Sequence, residues 1–328
     1  MQKKSSLALN HRPRPTLPHP CPHPPQYYLP KHKHHPIISL NTTKGPTVIK
    51  NILVGIDGSP HSQTACDYAL YLALRLTARL EAIHIVDTRP LDLLLLPTPA
   101  PTPLITWSPA ALESLRQSLR TRGEKLLQQT ATRCEQAGLP ITTTLQFGHP
   151  PQVLADIQSR TELIILGRQG QQTQPTPDPT GSTMDRFIRR ALRPCLVTPA
   201  TFRPIQKLLT AVDGSASATR ALHIAVELAN ALAVPLVILS IAERPTHLPD
   251  AQRNAIEAHT LARAHDCAAA TLTATGAPGN AILEKAKETA ADLIVLGAHG
   301  HGWVYDRLIG SAAAHVLTHS PHPVLLAR

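Results

Sequence analysis

The stretch Ile52-Leu53-Val54-Gly55-Ile56-Asp57-Gly58-Ser59 returns 156 residues later as Leu208-Leu209-Thr210-Ala211-Val212-Asp213-Gly214-Ser215. In each copy a short apolar run ends in an acid, a glycine and a serine, and apolar residues then recur at helical spacing. They are Ala65, Ala69, Leu72 and Leu76 in the first copy, and Ala221, Ala225, Leu228 and Leu232 in the second. The next apolar runs, Ala82 to Val86 and Ile238 to Ala242, keep the same offset. Further on the offset falls to 128 between Gly148 and Gly276, 130 between Gly167 and Gly297, and 129 between Gly181 and Gly310. The chain is an internal duplication whose first copy carries about 28 extra residues between its second and third strands.

Each copy reads as five strands alternating with helices. In the second copy the strands fall near 206–212, 236–242, 270–275, 292–297 and 323–327. Runs such as Leu293-Ile294-Val295-Leu296 are apolar throughout, as strands buried on both faces of a parallel sheet should be. The alternation predicts right-handed crossovers and an open, doubly wound α/β sheet in each copy. Ligands of such sheets bind beyond the carboxyl ends of the strands, where the strand order reverses. The expected organisation is a tail over 1–47, a first domain over 48–201 with an insertion at about 88–116, and a second domain over 202–328.

Of 328 residues 42% are hydrophobic, which excludes a wholly disordered chain. Of the net charge of +10, the seven lysines and arginines of the tail account for +7 and the other 281 residues for +3. The basic balance therefore belongs mostly to the tail, and with aromatics at 3% it argues against a nucleic-acid surface in the domains. Five scattered cysteines (Cys21, Cys66, Cys134, Cys195, Cys267) without a C-x-x-C pattern suit a reducing, cytoplasmic compartment. No apolar run is long enough to span a membrane, and Ser6 to Leu9 offers no secretory core. Ten prolines and six histidines make the tail extended and solvated, a linker or upstream sequence read from a misplaced start. The cluster His32, Lys33, His34, His35 near His19, Cys21 and His23 could catch a divalent metal, although no preformed site holds it.

The candidate chemistry lies at the strand ends. Asp57 and Asp213 could accept hydrogen bonds from ribose hydroxyls or hold a metal, while the Asp-Gly-Ser triplets also suit an ordinary strand-to-helix turn with a serine cap. The fourth strand of the second copy runs into Gly297-Ala298-His299-Gly300, then nine residues, then Gly310-Ser311 opening a helix. Glycines let backbone amides approach phosphates, and Ser311 adds a hydroxyl at the positive end of a helix dipole. The lysine of a Walker loop is absent, so this is a cradle rather than a phosphoryl-transfer engine.

On these residues the chain resembles a tandem universal stress protein: Gly297, Gly300, Gly310 and Ser311 match the spacing of the nucleotide-binding members of that family. The resemblance covers roughly residues 48–328. It implies two Rossmann-like domains of the adenine nucleotide alpha hydrolase-like type, joined as a pseudo-dimer through their fifth strands, Cys195-Leu196-Val197 and Val324-Leu325-Leu326. It further implies ATP as ligand, with or without Mg2+. Asp213 would lie at the ribose, with Gly214 beside it among the binding residues, the main chain of Ile241 and Ala298 at the adenine, and Gly297, Gly300, Gly310, Ser311 and Ala312 at the phosphates.

The first copy departs from that pattern. Gly167-Arg168-Gln169-Gly170 is followed by ten residues, three of them prolines, before Gly181-Ser182. Asp57 and Ile85 keep their places, and Arg168 either reaches a phosphate or lies solvated. One intact and one eroded site is expected. His299 and His301 are read as solvated, His84 and His223 as structural, and Cys66 and Cys267 as inert thiols without basic neighbours. The run Arg186, Arg189, Arg190, Arg193 is spaced for one face of a helix, an anion-binding surface or simply a charged exterior. The insertion, following a strand's carboxyl end, is expected to act as a lid or partner-docking loop rather than as core. The function this implies is a non-enzymatic, ATP-responsive stress module that works through unidentified protein partners or a homodimer. A scaffold without nucleotide and a slow ATP hydrolase are the alternatives.

Overall fold

The computed structural model describes residues 49–89, 108–170, 182–298 and 309–328, with the side chain of Ser182 left out. The tail, the middle of the insertion, the first copy's proline-rich loop and the segment holding His299, Gly300 and His301 lie outside the described residues.

The first half contains β1 (Asn51–Gly55), α1 (Pro60–Leu76), β2 (Arg79–Asp87), α2 (Pro109–Gln136), β3 (Thr142–Gly148), α3 (Pro150–Ile157), β4 (Leu163–Gly167), α4 (Ser182–Ile188) and β5 (Cys195–Thr198). The second repeats the order: β6 (Leu208–Val212), α5 (Ala216–Leu232), β7 (Leu236–Ala242), α6 (Leu248–Ala264), β8 (Ala269–Thr275), α7 (Pro278–Thr289), β9 (Leu293–Gly297), α8 (Ser311–His319) and β10 (Val324–Ala327). The strands form one ten-stranded sheet in the order β3-β2-β1-β4-β5-β10-β9-β6-β7-β8. Every pairing is parallel except β5 with β10, which is antiparallel and sets Cys195, Leu196 and Val197 against Leu326, Leu325 and Val324. Leu196 thus faces its own repeat equivalent, Leu325, and the pseudo-twofold passes between them. The fifth strands hydrogen-bond to each other instead of leaving two open edges, as the resemblance implied.

Alternation along each strand feeds two apolar layers. Ile52 and Val54 of β1 join α1, α2, α5 and α6 on one face, while Leu53 joins α3, α4, α7 and α8 on the other. Both layers run through both halves, so the seam at β5–β10 is core rather than surface. The linker after β5 also docks. Phe202 meets the rings of Tyr68 and Tyr71 edge-on at 4.8 and 5.9 Å, and the Tyr68 hydroxyl accepts the Arg203 N–H at 3.2 Å.

Three expectations change. The insertion does not stay irregular to residue 116: α2 starts at Pro109, capped by the Ser108 hydroxyl, and runs for 28 residues against 17 in α6. Helix-favouring residues from Ala110 onward carry it. The part of the expected lid before Ser108 lies outside the described residues. The arginine run is not one helical face, because α4 ends at Ile188 and a turn follows, with Arg190 N–H bonded to the Phe187 carbonyl. Arg189 folds back on Asp185, and Arg190 reaches Gln152. Finally, Cys66 does have a basic neighbour. It shares a hydrogen bond with Cys134 across α1 and α2, beside the Arg133–Asp67 ion pair. That bond and burial nevertheless hold the Cys66 thiol far above its ordinary value, so it stays protonated.

Candidate functional site

The strand order reverses between β1 and β4 in the first half and between β6 and β9 in the second, and the Asp-Gly-Ser turns stand at those points. The two turns are built alike. The Ser59 and Ser215 N–H groups donate to Asp57 and Asp213 Oδ1 at 2.8 and 2.9 Å. Gly58 and Gly214 sit at φ +81° and +82°, a left-handed conformation that glycine adopts without strain. The serine hydroxyls then cap the following helices, accepting the N–H of Ser62 and of Ala218. The carbonyl before each turn is also pinned, Ile56 to the His84 ring at 2.7 Å and Val212 to the Ser240 hydroxyl at 2.9 Å. His84 is thereby a satisfied structural residue.

The first glycine of each cradle has a different reason from the one its motif suggests. A Cβ on Gly297 would lie 2.7 Å from the Ser217 carbonyl carbon and 2.8 Å from Ala218 N, in the first turn of α5. A Cβ on Gly167 would meet His61 and Ser62 in the same way. These glycines let the helix cross the strand end, whatever else they touch. Ala298 is fully buried; its N–H donates to the Ala327 carbonyl and its own carbonyl accepts the Gly310 N–H, both at 2.9 Å. The Gly310 amide thereby closes the β9–α8 connection. Gly310 is the N-cap of α8 and supplies no side chain, so the first-turn amides of Ser311 and Ala312 have no intrahelical acceptor. Ser311 is exposed and Ala312 half-buried. Ile241 and Ile85 are half-buried near the ends of β7 and β2, against the layer of α3, α4, α7 and α8. Gly300 and Gly181 lie outside the described residues.

Around Asp57 the chain closes on itself. The Ser59 hydroxyl donates to the Gln169 carbonyl at 3.2 Å, and a Cβ on Gly170 would stand 2.8 Å from Asp57 Oδ2. Arg168 neither reaches out to a phosphate nor lies solvated. Its N–H joins the Thr198 carbonyl, its guanidinium is largely buried, and Nη2 points at the His322 carbonyl across the seam. Burial and the Arg168 charge hold His61 below the ordinary imidazole value, with Asp57 pulling the other way.

Residues 49–199 and 204–328 each match the model of the universal stress protein family. The chain belongs to the universal stress protein family. Universal stress protein Slr1230 of Synechocystis is 29% identical over 288 residues, covering 85% of this chain and all of that one. Rv2005c of Mycobacterium tuberculosis is 25% identical over 295 residues, covering 84% and 96%. Among solved structures, a universal stress protein from Archaeoglobus fulgidus superposes with a TM-score of 0.66 at 18% identity, over 85% of this chain and 96% of that one. That likeness speaks to the fold. Both curated relatives span the two halves, so the tandem universal stress protein arrangement is shared across most of their length. Among the described residues, no helix is long and apolar enough to cross a membrane.

One residue near the site carries no motif signal. Asn254, in the second turn of α6, lays its carboxamide against Gly214, with Oδ1 only 3.0 Å from the place of a Cβ. Only the packing of α6 onto the β6 turn brings it there, and nothing in its neighbouring sequence announces it.

Proposed function

We propose that the second half binds an adenine nucleotide, ATP foremost, and that the protein works as a nucleotide-responsive module in a stress response rather than as an enzyme. The observation that carries this reading is the pairing, across the β6–β9 reversal, of the Asp213 turn with a helix whose N-cap, Gly310, brings no capping side chain. A carboxylate suits ribose hydroxyls, and first-turn amides at the positive end of a helix suit phosphate. Among the described residues, no group of three or more His, Cys, Asp or Glu is placed to hold a metal ion, so an accompanying Mg2+ would ride on the phosphates. The first half supports a second role. Its β4 loop rests on Asp57, which favours a scaffold there over a second nucleotide site. A cytoplasmic setting, and protein partners or a second copy of the chain as readers of the bound state, complete the proposal.

The test is mass spectrometry of small molecules released by denaturing freshly purified protein, followed by titration with ATP, ADP and AMP. Release of an adenine nucleotide, or saturable binding lost in Asp213→Ala, is expected. Neither release nor binding at millimolar nucleotide would overturn the reading.

A further inference from the structure

Asn254 enters the second half's site from a direction the glycine motif does not cover. Helix α6 follows β7 through the short turn Pro245–His247, so its first turns stand at the carboxyl end of the sheet. Buried Ala251 and Ala255 fasten it, and Asn254 lies between them, half-buried. From the place of a Cβ on Gly214, the Asn254 Oδ1, Cγ and Nδ2 atoms are 3.0, 3.5 and 3.6 Å away, so the whole carboxamide covers the glycine beside Asp213. Among the described residues it has no hydrogen-bond partner. Asparagine is a poor residue for a helix interior, and here no internal bond offsets that cost.

The first half shows what the fold alone would place there. The helix ends match through Leu139 N–H to the Cys134 carbonyl and Cys267 N–H to the Ala262 carbonyl, an offset of 128 residues. Counting back, Leu126 stands where Asn254 stands, and it is packed against the core. A leucine satisfies helix and packing together. An asparagine that serves neither points outward to a ligand.

We infer that Asn254 is a ribose-specificity residue: its carboxamide and the Asp213 carboxylate together read the vicinal hydroxyls of the bound nucleotide. A carboxylate only accepts hydrogen bonds, whereas a carboxamide also donates, so the pair meets both the hydrogens and the oxygens of a diol. This rests on the nucleotide reading of the second half.

The experiment titrates the full-length protein, wild type, Asn254→Ala and Asn254→Leu, with ATP and 2′,3′-dideoxy-ATP. The wild type should prefer ATP by about tenfold or more, as a site built around hydroxyls does. Both variants should bind ATP about tenfold more weakly and the dideoxy compound unchanged, so that the preference collapses. Thermal melting should stay at or above wild type in Asn254→Leu, which separates a ligand effect from a folding effect. A variant that keeps the wild-type preference overturns this inference and leaves the nucleotide reading standing. A wild type that binds neither compound overturns both.

Discussion

In the first half Asp57 lies under its own chain, with Gly170 against the carboxylate and Gln169 held by the Ser59 hydroxyl. In the second, the turn built the same way around Asp213 is covered by a carboxamide from α6. The turns agree to within 0.1 Å in the Ser-to-Asp hydrogen bond and within a degree in the glycine φ. What differs is what the rest of the fold brings to them. A duplicated strand-turn-helix unit is therefore a necessary part of a site and not a sufficient one, because the groups that lie on it come from other crossovers.

The largest effects should fall where the halves agree. Gly167→Ala and Gly297→Ala each drive a Cβ into helix backbone, and each should cost about 3 kcal/mol in chemical denaturation. If Gly297→Ala instead kept full stability and lost only nucleotide, that glycine would belong to the ligand and not to the helix crossing.

Next comes the contrast between the two aspartates. Asp213→Ala should weaken ATP binding by about 10- to 100-fold, the loss of one or two charge-assisted hydrogen bonds. Asp57→Ala should leave the affinity within about twofold. Equal losses in calorimetric titrations would mean that both halves bind.

A smaller difference separates the two serines. Ser215→Ala removes a helix cap, worth about 1 kcal/mol. Ser59→Ala removes a cap and also the hydroxyl bond that holds Gln169, so it should cost more in urea unfolding. Identical midpoints would show that the closed loop does not depend on Ser59.

The smallest effect concerns acid. Burial, first among the causes, holds His61, His149 and His322 below the ordinary value of 6.5. The folded protein prefers these rings neutral, so the unfolded chain binds more protons below that pH. Stability is fully present above about pH 6.5 and declines as pH falls through the lowered folded values. His61 and His149 belong to the first half, where Ser217 and Ala277 are their counterparts in the second. Protection factors in hydrogen exchange should therefore fall more from pH 7.5 to pH 5.5 around α1 and α3 than around α5 and α7. A uniform fall would sever the acid response from these histidines.

Much of this was legible before any coordinates. The five strands expected in the second copy appear within two residues of their predicted bounds, since each is a short apolar run between turn residues. Ser59 and Ser215 cap as their position after Asp-Gly suggested. The arginine run departs from one helical face because its spacing matches a helix that ends at Ile188, a stop that its own charges do not mark. The thiol contact of Cys66 with Cys134, and the turn of Arg168 toward His322, join residues 68 and 154 positions apart, and no local pattern encodes either.

By itself, the sequence determined the duplication, the parallel strands, the reversal points and the two aspartate turns, because periodicity and turn chemistry are written between near neighbours. Only the tertiary structure decided that the first half's β4 loop lies on Asp57 and that Asn254 lies on Gly214. Those neighbours arrive from helices and loops far along the chain, and their approach depends on how whole elements pack against the sheet.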